Sequence, residues 1–259
     1  MRYQDSYTVT SHDTDYNNYI RPSLLQRYMI ETADHQMRDR KPTYYELFQD
    51  GKAFILTRIT IEIYGQISKY DKIDVQTWRC PEKGATFTRC FSVLIDGKEM
   101  ARGHSVWAVA NHKTGKLCRA SEIDLSNYEI EEPHKMNLPD RFRLPKDTAF
   151  TYVGNKTVFR GETDINRHMN NTYYSDMLWN FIPNIEEKTV TSISLRYMKE
   201  APLGAAISIY MGKLDAPIPE DRQAEETYCF YTEVAEGTNV EALISVKNVT
   251  AVSSSEEQA

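Results

Sequence analysis

The chain has 259 residues, enough for one large domain or for two of about 130, and either size buries a substantial core. Its net charge of −6 argues against general nucleic-acid binding, which needs a basic surface. No run approaches the roughly 18 apolar residues of a membrane helix, and the first residues lack the apolar core of a secretory signal. Cys80, Cys90, Cys118 and Cys229 are scattered without CxxC spacing, so no disulfide framework is expected. A reducing cytoplasm is the expected setting, with no membrane and no nucleic acid as partner.

Taken in order, Tyr3 to Thr10 alternates and is expected to form a first strand. Pro22 and Ser23 then open a helix in which Leu25, Met29, Ala33 and Met37 make one apolar stripe. Arg38, Arg40 and Lys41 are expected at its C-terminal end, opposite the negative pole of the helix dipole, with Pro42 as the stop. Ile59, Ile61 and Ile63 alternate with polar residues, which predicts a strand with one buried face. Ile73 to Trp78 partly repeats that pattern. Two longer strand-like runs, 86–95 and 98–110, flank Asp96-Gly97, a strong signal for a type I′ hairpin.

Residues 113–149 are polar, contain Pro133, Pro139 and Pro145, and read as a connector lying along the surface. The order of elements then repeats. A strand-like run from Phe150 to Arg160 leads into Gly161–Asn171. Tyr174, Met177, Leu178 and Phe181 follow at helical spacing, closed by Pro183. Four more strand-like runs follow, the last two around Glu236-Gly237-Thr238-Asn239. The expected organisation is an N-terminal unit at 1–112, the connector at 113–149, a C-terminal unit at 150–252 and a disordered tail at 253–259. Each unit is of α+β class, with a helix laid on an antiparallel sheet.

The repeat extends to residues. Thr14-Asp15-Tyr16-Asn17-Asn18-Tyr19 aligns with Thr163-Asp164-Ile165-Asn166-Arg167-His168. If the second segment is extended, Asp164, Asn166 and His168 share one side. An imidazole titrates near neutrality and a phenol near pH 10, so chemistry is expected in the copy that holds His168, not in the one with Tyr19. The competing reading gives the Asp and Asn residues to turn-shaping, and Asn170 or Asn171 to capping the second helix.

Asp164, Asn166, His168, Asn170 and Asn171, followed by Tyr174 and a helix, resemble the signature of the acyl-acyl carrier protein (acyl-ACP) thioesterases of plants and bacteria. Trp78, the run Ala101 to Trp107 and the run Leu195 to Glu200 extend the resemblance over most of the chain. It implies a tandem hotdog fold, in which a curved antiparallel sheet wraps a long helix, twice. It implies hydrolysis of an acyl-ACP thioester with release of free fatty acid. It also carries over Asp164, Asn166, His168 and Glu200 as catalytic residues. For thioester hydrolysis, Glu200 or Asp164 is expected to orient and deprotonate water, with His168 relaying or donating a proton. Plant members have a Cys after that Glu; here Ala201 removes a cysteine nucleophile at this position. No cofactor or metal is implied. The alternatives are an acyl-CoA thioesterase and a non-catalytic acyl- or carrier-binding module. Leu25, Met29, Ile30, Met37, Ile55 and Ile59 are candidates for the acyl tunnel. Arg21, Arg27, Arg38, Arg40, Lys41, Arg141, Arg143 and Lys146 are candidates for a cationic patch facing an acidic carrier protein. A monomer or a homodimer is expected.

Overall fold

The computed structural model of the chain describes residues 2–81, 84–139, 141–214 and 226–249, so the proposed tail lies outside it. In chain order the elements are β1 (Tyr3–Thr8), α1 (Pro22–Asp39), α2 (Tyr44–Gln49), β2 (Lys52–Ile63), β3 (Lys72–Arg79), β4 (Thr86–Ile95) and β5 (Lys98–Asn111). After the connector come β6 (Thr151–Thr157), α3 (Tyr173–Trp179), β7 (Lys188–Tyr197), β8 (Ala206–Lys213), β9 (Glu226–Val234) and β10 (Gly237–Asn248). All ten strands join one sheet in the order β1-β3-β4-β5-β2-β7-β10-β9-β8-β6, every pair antiparallel. Counted outward from the middle, β2, β5, β4, β3, β1 on one side match β7, β10, β9, β8, β6 on the other. The repeat is therefore a pseudo-twofold whose axis passes between β2 and β7. Thr60 stands opposite Ser194 at that seam, with their hydroxyls 3.2 Å apart.

The α1 stripe is buried at Leu25, Met29 and Ala33. Each buried Leu or Met contributes about 1.5–3 kcal/mol through apolar area removed from water. Gly103 lets this helix approach closely, since a Cβ there would sit 2.8 Å from Met29 Sδ. One core cluster crosses the seam, uniting Leu25, Met29 and Phe91 with Leu178, Leu195 and Phe230. The helix ends at Asp39, earlier than expected. Arg40 and Lys41 lie beyond it, bonded to Glu129 and Glu46 rather than standing at a helix end. The helix α2 was not anticipated. Its signal is the capping box from Thr43 to Glu46, present on both sides in the structure.

The Asp96-Gly97 turn has φ of +49° and +78°, as a type I′ hairpin requires. The last hairpin is tighter than expected. Val234 pairs with Gly237, leaving Ala235 and Glu236 as its turn. The helix α3 is also shorter, and Phe181 falls outside it.

The alternation at Ile59–Ile63 does not mark a single buried face: Thr60 and Glu62 are buried as well. The connector explains this, because it crosses the outer face of the sheet. Leu138 N and Asn137 Nδ2 donate to the Glu62 carboxylate at 2.6 and 3.4 Å. The indole Nε1 of Trp78 donates to Glu132 O, and His134 sits edge-on to the Trp78 ring. Cys118, Ile123, Leu125 and Tyr128 of the connector form a second small core with Leu47, Phe87 and Val109. Among the described residues no helix is long and apolar enough to cross a membrane.

Candidate active site

The segment 163–169 is not extended. Thr163 bridges Met169, Asp164 N donates to His168 O at 3.0 Å, and Arg167 N donates to Asp164 O at 3.0 Å. Asp164 Oδ1 accepts from Asn166 N at 2.8 Å, and Arg167 takes φ +66°. The sequence is dense in short polar side chains, which bond to nearby backbone and so favour a tight turn over a strand. The turn-shaping role is thus real for Asp164. Asn170 has a similar one: its Oδ1 accepts from Thr172 N at 3.0 Å at the start of α3.

A turn still gathers the four residues, though by a different route from strand alternation. Asp164 and His168 stand at its base and Asn166 at its tip. The base is tied to the segment after β7: His168 bridges Pro202, and Met169 N donates to Ala201 O at 2.8 Å. That tie sets Glu200 beside the imidazole, with His168 Nδ1 3.3 Å from Glu200 Oε2. Asp164, Asn166, His168 and Glu200 then line one cavity of about 440 Å³ with Phe54, Trp107, Tyr174 and Lys199. Burial pushes the Tyr174 phenol up to about 12, so it is a protonated donor at neutral pH.

An apolar cavity of about 340 Å³ adjoins this one and shares Phe54, Trp107, Asp164 and Asn171 with it. It runs beside α1 past Ile30, Ala33 and Met37 toward Phe87, Leu125 and Tyr128. Of the proposed tunnel residues, Ile30 and Met37 line this apolar end and Ile55 the polar one. Leu25, Met29 and Ile59 are sealed in the core instead. The buried Gln26 of α1 binds the halves at this junction: its Oε1 accepts from Ser175 Oγ of α3 at 3.1 Å and its Nε2 donates to Tyr197 Oη of β7 at 3.3 Å, which in turn donates to Asn171 O at 2.8 Å. Gln26 was not singled out from sequence; a polar residue inside the apolar arc of α1 was the available signal.

The expected cationic patch is largely committed elsewhere. Arg21 pairs with Asp176, Arg38 with Asp39, Arg40 with Glu129 and Lys41 with Glu46, while Arg27 stacks on Tyr173. Arg167 on the turn and Lys199 at the cavity rim are exposed cations at the mouth itself. Ala201 is buried, and Cys229 lies fully buried in β9 with its thiol pushed up to about 11 by burial, which suits a core residue.

The first copy repeats the turn bond for bond. Thr14 bridges Ile20, Asp15 N donates to Tyr19 O at 2.8 Å, Asp15 Oδ1 accepts from Asn17 N at 2.8 Å, and Asn18 has φ +62°. Tyr19 bridges Ser68 as His168 bridges Pro202, so Gln66 holds the place of Glu200. Both the imidazole and its carboxylate are missing from this copy.

Residues 1–128 match the family model of the acyl-ACP thioesterase N-terminal domain, and residues 153–248 that of the C-terminal domain. An oleoyl-acyl carrier protein thioesterase of Arabidopsis thaliana is 23% identical over 219 residues, covering 76% of this chain and 59% of that protein. A palmitoyl-acyl carrier protein thioesterase of Cuphea hookeriana is 24% identical, covering 71% of this chain and 46% of that one. The chain thus spans about half the length of these curated relatives. Among solved structures, an acyl-ACP thioesterase from Bacteroides thetaiotaomicron superposes with a TM-score of 0.81 at 21% identity, covering 94% of this chain and 97% of that one. The 12:0-ACP thioesterase of Umbellularia californica gives 0.80 at 14% identity, covering 96% and 94%. These two share the fold, a double hotdog. With both family models matched over most of its length, the chain belongs to the acyl-ACP thioesterase family.

Proposed function

We propose that the chain hydrolyses the thioester of an acyl-acyl carrier protein and releases the free fatty acid. The observation that carries this reading is the junction of the two cavities: a His168–Glu200 pair with Asp164 and Asn166 at a polar mouth that opens into an apolar groove. In the proposed reaction the acyl chain lies along Ile30 and Met37, which sets the thioester carbonyl at the mouth. Glu200 accepts from Nδ1–H of His168 and orients the ring, so that Nε2, rather than the carboxylate expected from sequence, takes a proton from the attacking water. Asp164 has one oxygen on the Asn166 N–H and the other free to hold that water. The side-chain amide of Asn166 donates to the developing oxyanion. The C–S bond then breaks, and His168 returns its proton to the thiolate, a leaving group that needs little acid assistance.

The C-terminal unit, 150–252, supplies the chemistry in this scheme. The N-terminal unit, 1–112, supplies the acyl groove, and 113–149 connects them. Arg167 and Lys199 face the acidic carrier protein. Four buried free thiols fit a reducing cytoplasm. The scheme uses no cofactor, and a single chain completes the site.

The test is single-turnover hydrolysis of an acyl-ACP by four Ala variants. His168→Ala is expected to lose about 10²–10⁴-fold in rate, and Asn166→Ala about 10²–10³-fold. Near-native rates for both Asp164→Ala and Glu200→Ala would sink the scheme. Matched acyl-CoA substrates run alongside separate carrier-protein selectivity from CoA selectivity, and a strong preference for CoA overturns the substrate assignment.

A further inference from the structure

The pseudo-twofold that relates the two turns also relates two cavities. A second cavity of about 450 Å³, the size of the one at His168, opens beside the turn of the first copy. Asp15 and Tyr19 line it as Asp164 and His168 line the first, and Gln66 stands where Glu200 does. The two lie at opposite ends of β2. Leu56 borders the first and Ile63 the second, roughly 23 Å apart along the strand at ~3.3 Å per residue.

Its walls have two characters. Ile63, Val190 and Trp179 form an apolar side, and Trp179 is almost fully buried. Tyr19, Lys247 and Thr191 supply polar groups. Thr191 is 7% exposed, and its hydroxyl finds no hydrogen-bond partner among the described residues. A buried hydroxyl in that condition is costly, and a rotation about χ1 that turns it toward a polar ligand atom in the cavity removes the cost. Among the described residues of the lining, Asp15 is the one carboxylate, and its Oδ1 accepts from the N–H groups of Asn17 and Tyr19 at 2.8 and 3.0 Å.

We propose that this second cavity is a non-hydrolytic binding site for a free fatty acid, with its alkyl chain against Trp179 and Val190 and its carboxylate among Lys247, Tyr19 and Thr191. The ligand class follows from the reaction proposed above, whose product is a fatty acid; the cavity and its lining stand apart from that reading. A phenol and an amide in place of the imidazole and carboxylate leave the site able to bind an acyl group but not to cleave one.

The test titrates the full chain with dodecanoate and reads stoichiometry by native mass spectrometry and calorimetry. Two equivalents are expected. Ile30→Trp, in the acyl groove, is expected to remove one. Thr189→Trp, which fills the second cavity, is expected to remove the other while thioester turnover stays within about twofold of wild type. Lys247→Glu, at a partly exposed position, is expected to weaken the second equivalent by about tenfold or more and to leave dodecanol binding unchanged, and it decides the matter if the Trp variant fails to fold. No binding, a single equivalent abolished by Ile30→Trp, or a second equivalent that survives Lys247→Glu overturns the assignment. A chain that binds two dodecanoates yet cleaves no acyl thioester would keep this site and refute the hydrolase reading instead.

Discussion

Asp15 and Asp164 offer an internal control. Each carboxylate holds the same turn, accepting from the backbone N–H two residues on at 2.8 Å, and Asp15 accepts from Tyr19 N as well at 3.0 Å. Hydrogen bonds to a charged acceptor are worth about 1.5–3 kcal/mol when buried; both turns are partly open to water, so about 1 kcal/mol each is the expected loss on substitution by Ala. For a chain of this size that lowers Tm by roughly 2–4 °C. Asp15→Ala breaks two such bonds and should destabilise at least as much as Asp164→Ala. The two variants should part company in rate. Asp15→Ala should turn over acyl-ACP within about twofold of wild type, whereas Asp164→Ala should fall by about 10²–10⁴-fold. Asp164→Asn keeps an oxygen for the Asn166 N–H and removes only the charge, so it should hold its Tm and still lose rate. Urea titration and single-turnover hydrolysis on the same preparations give both numbers. Equal, small rate losses in Asp15→Ala and Asp164→Ala would show that the carboxylate only shapes the turn.

Three further outcomes are expected. Gln26→Leu strips the acceptor from the buried Ser175 hydroxyl and should cost about 1–3 kcal/mol in denaturant unfolding; adding Ser175→Ala should recover part of it, and strict additivity would refute the pairing. Burial and the nearby Arg102 push His134 down to about 4, so between pH 6.5 and 4 the unfolded chain takes up a proton that the folded chain refuses. Stability is therefore full above pH 6.5 and falls as pH drops toward 4. The shift corresponds to at most about 3 kcal/mol, and partial exposure reduces it to on the order of 1–2 kcal/mol. His134→Phe should flatten that acid limb in urea titrations at pH 5 and 7.5, and an unchanged slope would reject the cause. Met37→Trp fills the apolar groove and should shift turnover toward shorter acyl chains in a substrate series, while an unchanged profile would place the chain elsewhere.

Period and turn chemistry made much of the fold legible. The α1 stripe, the Asp96-Gly97 hairpin and the internal repeat all depend on local spacing, and all three appear in the structure. What failed depended on distant partners. Thr60 and Glu62 read as a solvent face because nothing near them in sequence announces the seam with β7 or the connector overhead. Asp164, Asn166, His168 and Glu200 do line one cavity, but the local geometry that brings them there is not the extended one their spacing suggests. Their two-residue spacing fits a strand, while side-chain bonds from Asp164 to the backbone make a turn. Charge in the sequence does not reveal that Asp176, Glu129 and Glu46 hold Arg21, Arg40 and Lys41 of the expected cationic patch.

The unequal helices fit the different roles proposed for the two copies. With 18 residues α1 spans roughly 27 Å, long enough to cross the sheet and leave an apolar groove between its far end and Phe87. With 7 residues α3 spans roughly 10 Å, after which Phe181 and Ile182 turn back against their own half of the core. Room for a long chain therefore exists beside the first helix. The imidazole stands on the turn before the second. The two meet only because β2 and β7 pair at the seam, which brings Phe54 and Ile55 from the start of β2 against His168 and Glu200. In the proposed scheme neither copy holds both halves of the site: the first supplies the groove and the second the proton transfer. With Tyr19 and Gln66 in place of the imidazole and its carboxylate, the first copy still keeps the turn, the seam and a cavity of the same size.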